Sequence, residues 1–371
     1  MKFSIDKNII LDGLNNVIKA ISTKNIIPVL NGIKFDLQKE GLYLLASDGE
    51  LTIKVLIESK EIKNIEKEGS IILQSKYILE IIRKMPSDVV NFEVLDGLKI
   101  KIYTDNNQFS LNCLDAKDYP LIKIEESKEP IVIEAETFKT IINQTSFAIS
   151  NQELRPLLTG VNLKINGDLL ECVATDSYRL AKKNIKLNQI VNNNVDIVIP
   201  GRNIIELEKL LTDENLEIHV FSNKILFKYK NILFQSNLLN GTYPNTSNLI
   251  PNEFAYIIKV SSSEFNSAID RASLLTQGKD KNIVKMNLEN VNMLISSSSS
   301  ELGKVEEKLL VESNNKDKLE ISFSSKYMLE ALKTIKDEDI LILLNSDTKP
   351  IIVKSVSDES LIQLILPIKT Y

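Results

Sequence analysis

The stretch QSKYILEIIR at residues 74–83 decides the fold, because its pattern returns twice along the chain. It recurs as PGRNIIELEK at 200–209 and as SSKYMLEALK at 324–333, each time with apolar residues at helical spacing behind a basic residue. The first basic residues of successive copies lie 126 and then 124 positions apart. Three copies of a unit of about 124 residues would therefore fill the 371-residue chain.

A second match supports this period. The tripeptides at 20–22, 148–150 and 272–274 each begin with alanine and close a helical pattern, at spacings of 128 and 124. Polar stretches at 125–130 and 251–254 separate the copies. We therefore predict three tandem domains, with the boundaries 1–126, 127–251 and 252–371.

Each copy predicts the same order of elements. A short strand leads into a first helix, then come alternating strands, a second helix and further strands. The predicted first helices are 7–21, 136–149 and 262–275, and the predicted second helices are 75–84, 202–211 and 325–336. Two helices packed on antiparallel sheets in each of three similar domains is an α+β architecture.

Hairpins are predicted at matching positions of the first two copies. The strand 42–47 turns at Asp48-Gly49, and the strand 169–174 turns at Asp176-Ser177. In the third copy the equivalent stretch runs into five serines at 296–300. This composition predicts a longer, mobile turn there.

The second helices carry basic residues seven positions apart, which places both on one helix face. The pairs are Lys76 with Arg83, Arg202 with Lys209, and Lys326 with Lys333. A solvated face with i,i+4 ion pairs to Glu80, Glu206 and Glu330 would explain any one helix. Recurrence in three copies favours a shared role in meeting a polyanion, with common ancestry of the repeats as the alternative explanation. Since the formal net charge is −5, bulk attraction to nucleic acid is disfavoured, whereas a local basic lining could hold phosphates without reading bases.

The remaining inventory argues against an enzyme. The single histidine, His219, lies in an alternating stretch that predicts a strand histidine with a satisfied ring, and no Gly-x-Ser-x-Gly or phosphate-binding glycine motif is present. The two cysteines form no metal or disulfide pattern. No signal peptide or membrane-spanning run is predicted. We expect a cytoplasmic protein without catalytic residues, metal or cofactor.

The ordered motifs of the chain resemble those of a known family. They are IPVLNG at 27–32, DAKDYP at 115–120, RPLLTGV at 155–161, ATDSYRLA at 174–181, GTYP at 241–244 and QLILPIKTY at 363–371, with the start MKF. Over essentially its full length the chain is similar to the bacterial β sliding clamps, the processivity subunits of DNA polymerase III. The resemblance implies a ring of two chains, head to tail, that encircles duplex DNA and tethers the polymerase.

This resemblance assigns roles to particular residues. DNA contacts would come from the six helix bases, Lys76, Arg83, Arg202, Lys209, Lys326 and Lys333, together with Lys24 and Gln152 in loops. Ring closure would bring Phe109 and Leu111 of one chain against Leu274 and Leu275 of the other, although alternation would equally place these residues in a core. Glu306 and Glu307 would face basic residues such as Lys99 or Lys101.

The resemblance also implies a pocket for short peptides from the polymerase catalytic subunit, the clamp loader, other polymerases and repair proteins. Its residues would be Leu158, Thr175, Ser177, Tyr178, Arg179, Leu180, Pro244, Asn248, Leu249, Tyr327, Leu364, Leu366, Pro367 and Ile368. From the residues alone, 175–177 is a hairpin turn and the C-terminal stretch an edge strand. Ser177-Tyr178 stands where the family commonly has Gly-His, and Asn248 where it often has a basic residue.

Two other functions fit the residues. Asp48 and Asp176 could hold a divalent metal in a nuclease or hydrolase, although turn chemistry explains both. A triplicated scaffold that binds peptides but never DNA is the other alternative.

Overall fold

The computed structural model describes residues 1–22, 27–152, 154–276 and 282–369. It divides into two compact units, Met1–Glu136 with Lys209–Leu238, and Thr137–Glu208 with Leu239–Tyr371. The division falls inside the central repeat, so the first unit holds one part of that repeat and the second unit the other. No helix in the described ranges is long and apolar enough to span a bilayer.

Each repeat contains two α-helices, as predicted. The helices of the described residues are α1 Lys7–Val17, α2 Ser75–Lys84, α3 Ala135–Thr145, α4 Gly201–Glu208, α5 Ser262–Ser273 and α6 Ser325–Leu332. Helix α2 has its predicted bounds, whereas α4 and α6 end before Lys209 and Lys333. Short 3₁₀ turns, Ile18–Ala20 and Ser146–Ala148, continue α1 and α3.

Local chemistry explains where these helices begin and what they bury. The Asp6 carboxylate caps α1 by accepting from the Asn8 amide at 2.8 Å, and the Ser261 hydroxyl caps α5 by accepting from the Glu264 amide at 3.4 Å. Helix α2 buries Ile78 and Ile82, four positions apart on one face. Its opposite face is left for charged residues.

Antiparallel strands make up most of the rest. Within the described ranges they are β1 Lys2–Asp6, β2 Gly32–Gln38, β3 Gly41–Ser47, β4 Leu51–Glu58, β5 Ile62–Lys67, β6 Gly69–Gln74, β7 Val89–Leu95, β8 Lys99–Tyr103, β9 Gln108–Asn112, β10 Leu114–Asp115, β11 Ile131–Glu134, β12 Gly160–Thr175, β13 Arg179–Pro200, β14 Asn215–Val220, β15 Lys224–Tyr229, β16 Ile232–Asn237, β17 Tyr256–Ser261, β18 Ile283–Glu289, β19 Asn292–Ser299, β20 Gly303–Leu310, β21 Glu312–Ser313, β22 Leu319–Ser324, β23 Asp339–Leu344, β24 Ile351–Ser355 and β25 Leu361–Ile365.

The first unit contains two sheets. One has five strands in the order β5-β1-β7-β8-β9, and the other has nine in the order β10-β6-β2-β3-β4-β16-β15-β14-β11. In the larger sheet β4 of the first repeat pairs with β16 of the central repeat, with Ile53 opposite Phe234. This pairing joins the two repeats through backbone hydrogen bonds.

The second unit also joins two repeats by pairing their strands in one sheet. Its seven-stranded sheet has the order β12-β13-β25-β24-β23-β17-β21, and its four-stranded sheet the order β20-β19-β18-β22. Strand β13 of the central repeat pairs with β25 of the third, with Ala181 opposite Gln363. Two of the three repeats are therefore joined to the next one by equivalent strands.

The serine run of the third repeat is strand rather than the predicted loop. Strand β19 continues to Ser299, and the turn comes only at 300–302. Ser297 is buried and its hydroxyl donates to the Ala272 carbonyl of α5 at 2.6 Å. Because that hydroxyl has a partner, a serine strand can lie beneath the helix without an unsatisfied polar group.

Candidate functional site

An apolar cluster lies in the second unit, where strands of the central and third repeats share a sheet. Its buried members are Leu158, Val173, Leu180, Val198, Tyr243, Leu343, Ile352 and Leu364. Three of the predicted pocket residues, Leu158, Leu180 and Leu364, thus lie in one cluster. The other five buried members could not be assigned from the sequence, because alternating strands elsewhere give the same signal.

A cavity of about 700 Å³ in the same unit holds five further predicted residues. Its lining consists of Tyr178, Asn282, Ser324, Lys326, Tyr327, Leu366, Pro367, Ile368 and Lys369. Tyr178 is 58% exposed and Leu366 is 38% exposed, so large apolar surfaces border the opening. Such a concave, mainly apolar site with a few polar groups is typical of ligand recognition.

The hairpin turn before β13 positions Tyr178. The Asp176 carboxylate accepts from the backbone amides of Tyr178 and Arg179 at 2.9 and 3.0 Å. Ser177 has a positive φ of 77°, and its hydroxyl accepts from the Arg155 guanidinium at 2.8 Å. The turn is therefore fixed by its own side chains, in a backbone conformation that glycine adopts more readily.

Arg179 connects this turn to the third repeat. Its guanidinium donates to Asp176 at 3.1 Å, to the Phe147 carbonyl at 2.6 Å and to the Glu330 carboxylate. The ring of Tyr327 lies 4.5 Å from the guanidinium carbon. This buried network holds α6 against the hairpin.

Two tyrosines beside the network have altered pKa values. Burial raises the pKa of Tyr327, and the negative charge of Asp176 raises it further. Burial likewise raises the pKa of Tyr243, whose hydroxyl accepts from the Thr175 amide at 3.1 Å. Both phenols stay neutral near neutral pH, which suits an apolar site.

The other predicted pocket residues are arranged differently. Thr175 is buried, and its hydroxyl donates to the Arg179 carbonyl at 2.6 Å, so it supports the turn. Pro244, Asn248 and Leu249 are exposed and do not line the cavity. The structure brings together the cluster, the turn and the cavity wall, and Tyr243 and Ile250, on either side of this loop, belong to the cluster or pack against it.

The bases of the second helices are all exposed, and in the first and third repeats the ion pairs differ from the prediction. Glu80 pairs with Arg83 and, at 3.8 Å, with Lys84, rather than with Lys76. Glu330 pairs with Arg179 instead of Lys326. Lys209 and Lys333 each follow the last residue of their helix.

Of the two loop residues predicted to meet DNA, Gln152 lies within the described part of the chain. Gln152 is exposed, and its backbone amide donates to the Ser150 hydroxyl at 3.0 Å. Lys24 lies outside the described residues.

The residues predicted to close a ring lie on the edge strand β9 and just after helix α5. Strand β9 is the outer strand of the five-stranded sheet and bears Phe109, which is 40% exposed, and the half-buried Leu111. Strand β20 is the outer strand of the four-stranded sheet. Leu274, just after α5, is 59% exposed, and Leu275 is half-buried.

The acidic residues of β20 already have partners in their own chain. Glu307 accepts from the Arg271 guanidinium at 2.8 and 2.9 Å, and this bond holds the pKa of Glu307 below its usual range. Glu306 pairs with Lys304.

Comparison with known proteins places these features in one family. The chain matches the N-terminal, central and C-terminal domains of the DNA polymerase III beta subunit over residues 1–123, 132–245 and 247–369. It is 40% identical to the beta sliding clamp of Bacillus subtilis and 37% identical to that of Staphylococcus aureus strain Mu50, each over the whole of both chains. The chain belongs to the beta sliding clamp family. Its fold matches the crystal structure of the Bacillus subtilis DNA polymerase sliding clamp with a TM-score of 0.97 over all of both chains.

Membership in the beta sliding clamps assigns the chain a non-catalytic role in replication. The two turn aspartates agree with this assignment. Asp48 accepts from the amides of Glu50 and Leu51 at 3.0 and 2.8 Å, as Asp176 does in its own turn. Both carboxylates serve as turn caps in a clamp fold.

His219 is the remaining candidate for chemistry. It is fully buried, and its Nδ1 accepts from the Ser127 amide at 2.9 Å, while Nε2 has no hydrogen-bond partner and lies 3.6 Å from Glu217. The prediction that the ring nitrogens have hydrogen-bond partners is thus correct for Nδ1 and wrong for Nε2. Because Nδ1 is an acceptor, the neutral ring carries its proton on Nε2 and offers no lone pair to a metal there. Glu126 also lies close to this ring, and its carboxylate is paired with the Lys228 ammonium at 2.8 Å.

Proposed function

We propose that this clamp encircles duplex DNA as a homodimeric ring and tethers the replicative polymerase, with domains at 1–126, 127–251 and 252–371. The family supports a role with DNA and DNA polymerase III. The finer parts of the proposal concern the dimer, the DNA contacts and the partner peptides. A protein with this role would work in the cytoplasm, at the replication fork.

The pairing of strands between repeats carries the proposal. The first repeat joins the second through β4 and β16, and the second joins the third through β13 and β25. The equivalent strands that are left over are β20 of the third repeat and β9 of the first, both at sheet edges. If β20 pairs with β9 of a second copy, the five-stranded and four-stranded sheets combine into nine strands, as in the sheet that joins the first two repeats. Two such junctions close a dimer in which neither β9 nor β20 is left unpaired.

The register of this junction follows from the repeats. Equivalent positions in the last strands of the three repeats are shown by what they pair with in the preceding strand. Phe109 pairs with Ile102, Phe234 with Phe227, and Gln363 with Val353. A second set of equivalent positions lies on β4, β13 and β20. Ile53 pairs with Ala46, Ala181 with Ala174, and Val305 with Ser297. Since Ile53 faces Phe234 and Ala181 faces Gln363, Val305 would face Phe109 of the second chain.

Exposed apolar groups support this junction. Phe109 and Leu274 expose large parts of their side chains, and Leu111 and Leu275 lie beside them in sequence. Burying such surface is the usual driving force for association. The acids of β20 are matched by Arg271 and Lys304, so the junction would not need Lys99 or Lys101 to neutralise them.

For DNA, the proposal uses the helix bases. A clamp that slides needs phosphate contacts without base readout, and exposed lysine and arginine side chains supply them. The proposed contacts are Lys24, Lys76, Arg83, Gln152, Arg202, Lys209, Lys326 and Lys333. Arg83 has Glu80 as an alternative partner, so its contribution would be weaker than that of Lys76.

For protein partners, the proposal uses the apolar cluster and the cavity. An extended peptide with apolar anchors would fill them, and it could come from the polymerase catalytic subunit, the clamp loader, other polymerases or repair proteins. The proposed residues are Leu158, Thr175, Ser177, Tyr178, Arg179, Leu180, Pro244, Asn248, Leu249, Tyr327, Leu364, Leu366, Pro367 and Ile368. Thr175 and Arg179 would act by holding the turn rather than by touching the peptide.

A cysteine pair tests the ring. In a Phe109→Cys, Val305→Cys variant the two Cα atoms should fall within the roughly 4.4–6.8 Å that a disulfide needs, so mild oxidation should give a covalent dimer on a denaturing gel. The matched control pairs Val305→Cys with Ser110→Cys, because a slip of one residue turns the side chain to the other face. A monomer in solution, or equal crosslinking of both variants, would contradict the proposed junction.

A further inference from the structure

Two equivalent glutamates of the second helices have different partners. Glu80 of α2 and Glu330 of α6 each lie four positions after the first base of their helix. From this position a glutamate neighbours both bases of the helix, one four residues before it and one three residues after it. Yet Glu80 pairs with Arg83 of its own helix, whereas Glu330 pairs with Arg179 of the central repeat. The bases of the two helices are therefore compensated differently.

In α2 the acid stays among the bases of its own helix. The Glu80 carboxylate pairs with Arg83 and lies 3.8 Å from the ammonium of Lys84. The exposed fractions of these side chains are 47%, 51% and 77%, so all three meet solvent. A phosphate that approaches either base must compete with a carboxylate that is already bound there.

In α6 the bases have no such competitor. Lys326 and Lys333 are both exposed, and neither has an ion pair within the ranges that the structure describes. Glu330 is the acidic residue of this helix, and its carboxylate points to Arg179 instead. A phosphate would therefore meet both ammonium groups without displacing an acid of their own helix.

Arg179 holds Glu330 more firmly than an exposed lysine could. The Arg179 side chain is 9% exposed and the Glu330 side chain 30% exposed. Attraction between charges strengthens where water is excluded, whereas ion pairs in open solvent contribute little. The guanidinium is fixed from its other side by Asp176 at 3.1 Å and by the Phe147 carbonyl at 2.6 Å. Glu330 therefore stays with Arg179.

We propose that Arg179 sets the grip of α6 on DNA phosphates by withholding Glu330 from Lys326 and Lys333, so that α6 holds phosphate more strongly than α2. The inference rests on the proposed function, in which these helices meet DNA. Arg179 is a positioning residue in this account, because it acts through Glu330 and not on a phosphate. Such a difference changes affinity and its salt dependence but reads no bases.

Matched glutamine substitutions in the two helices test the inference. Glu80→Gln and Glu330→Gln make the same change in net charge at equivalent helix positions. Fluorescence anisotropy of a labelled duplex with the full chain should show binding about threefold tighter in Glu80→Gln, as expected when an exposed ion pair no longer competes. Glu330→Gln should bind the duplex as the unmodified chain does, because its carboxylate is already withheld.

Releasing Glu330 should have the opposite effect. In Arg179→Met the carboxylate is free to pair with Lys326 or Lys333, so duplex binding should weaken about threefold. The slope of log affinity against log salt should fall by up to about 0.9, the value for one phosphate contact. The double variant Arg179→Met, Glu330→Gln should regain the affinity of the unmodified chain, which a purely structural role of Arg179 would not allow.

A matched control accounts for the lost positive charge. Lys285→Met on β18 also removes the base of an ion pair, with Glu320 at 3.2 Å, and should leave duplex binding unchanged. Circular dichroism identifies a temperature at which all variants are folded. The two glutamine variants keep Arg179, so their comparison stands even if Arg179→Met does not fold.

The outcomes separate this inference from the proposed function. If Lys76→Glu and Lys333→Glu bind the duplex as the unmodified chain does, these helices do not meet DNA and the proposed function is wrong on this point. If the lysine variants bind weakly but Glu80→Gln and Glu330→Gln change affinity equally, Arg179 withholds no acid and the inference is overturned. A double variant as weak as Arg179→Met would overturn it as well.

Discussion

Arg179 and Glu330 are 151 positions apart in the chain and form an ion pair between the hairpin turn of the central repeat and helix α6 of the third. The Tyr327 ring lies 4.5 Å from the same guanidinium, so this pair also fixes one wall of the cavity. The guanidinium has further partners in Asp176 and the Phe147 carbonyl. The geometry of the proposed partner site therefore depends on a residue beneath it.

An Arg179→Met variant should lose stability and peptide affinity together. It leaves Asp176 and Glu330 without their cation, and breaking a buried pair in this way costs about 3 kcal/mol. Urea unfolding measures the loss, and fluorescence anisotropy measures peptide binding. Glu330→Gln is the milder control, because Arg179 keeps its bonds to Asp176 and Phe147. A variant as stable as the parent would show that this network does not support the fold.

Local patterns predicted much of this architecture. The helices follow from apolar residues at helical spacing, such as Ile78 and Ile82, and the turns follow from Asp48 and Asp176. The serine strand was missed because its burial depends on the Ala272 carbonyl, which another element provides. The polar contacts of the site could not be predicted either, because they depend on tertiary structure. Glu330 pairs with Arg179 of another repeat, and Lys326 lines the cavity.

A Phe109→Asp variant should dissociate the proposed dimer. The side chain is 40% exposed in the single chain, so the fold should survive, whereas a charge at the junction would be buried without a partner. We expect the dimer dissociation constant to rise by roughly 100-fold, or about 2.7 kcal/mol. Sedimentation equilibrium measures it, with Ser110→Asp on the other face of β9 as the control. Unchanged association would place the interface elsewhere.

Stability should decline at alkaline pH. Burial raises the pKa of the Cys113 thiol from its ordinary 9.0 to about 11, and it also raises the pKa of Cys172. A raised acid pKa means that the folded state holds the proton more tightly than the unfolded state. The contribution of the Cys113 thiol to the free energy of unfolding is therefore complete below about pH 9 and is lost as pH rises through about 11. The melting temperature should fall in this window, and less steeply in Cys113→Ala; an identical fall in both proteins would refute this cause.

Reversing helix charges should change how binding to DNA depends on salt. If Lys76 and Lys333 each neutralise one phosphate, replacing either with glutamate should reduce the slope of log affinity against log salt by about 0.9. The assay is binding of the chain to a short duplex across a salt series. Lys63→Glu on strand β5 makes the same change in net charge and should leave the slope unchanged. Equal slopes in all three variants would mean that these helices do not meet DNA.

Retention on DNA of two topologies tests the central claim most directly. The protein is loaded onto nicked circular duplex by a matching clamp loader with ATP, and the circle is then cut once. Encirclement predicts that the protein stays on the intact circle at moderate salt and is lost once the DNA is linear. Equal binding to circular and linear DNA, falling steeply with salt, would instead show ordinary phosphate adhesion and would contradict the ring.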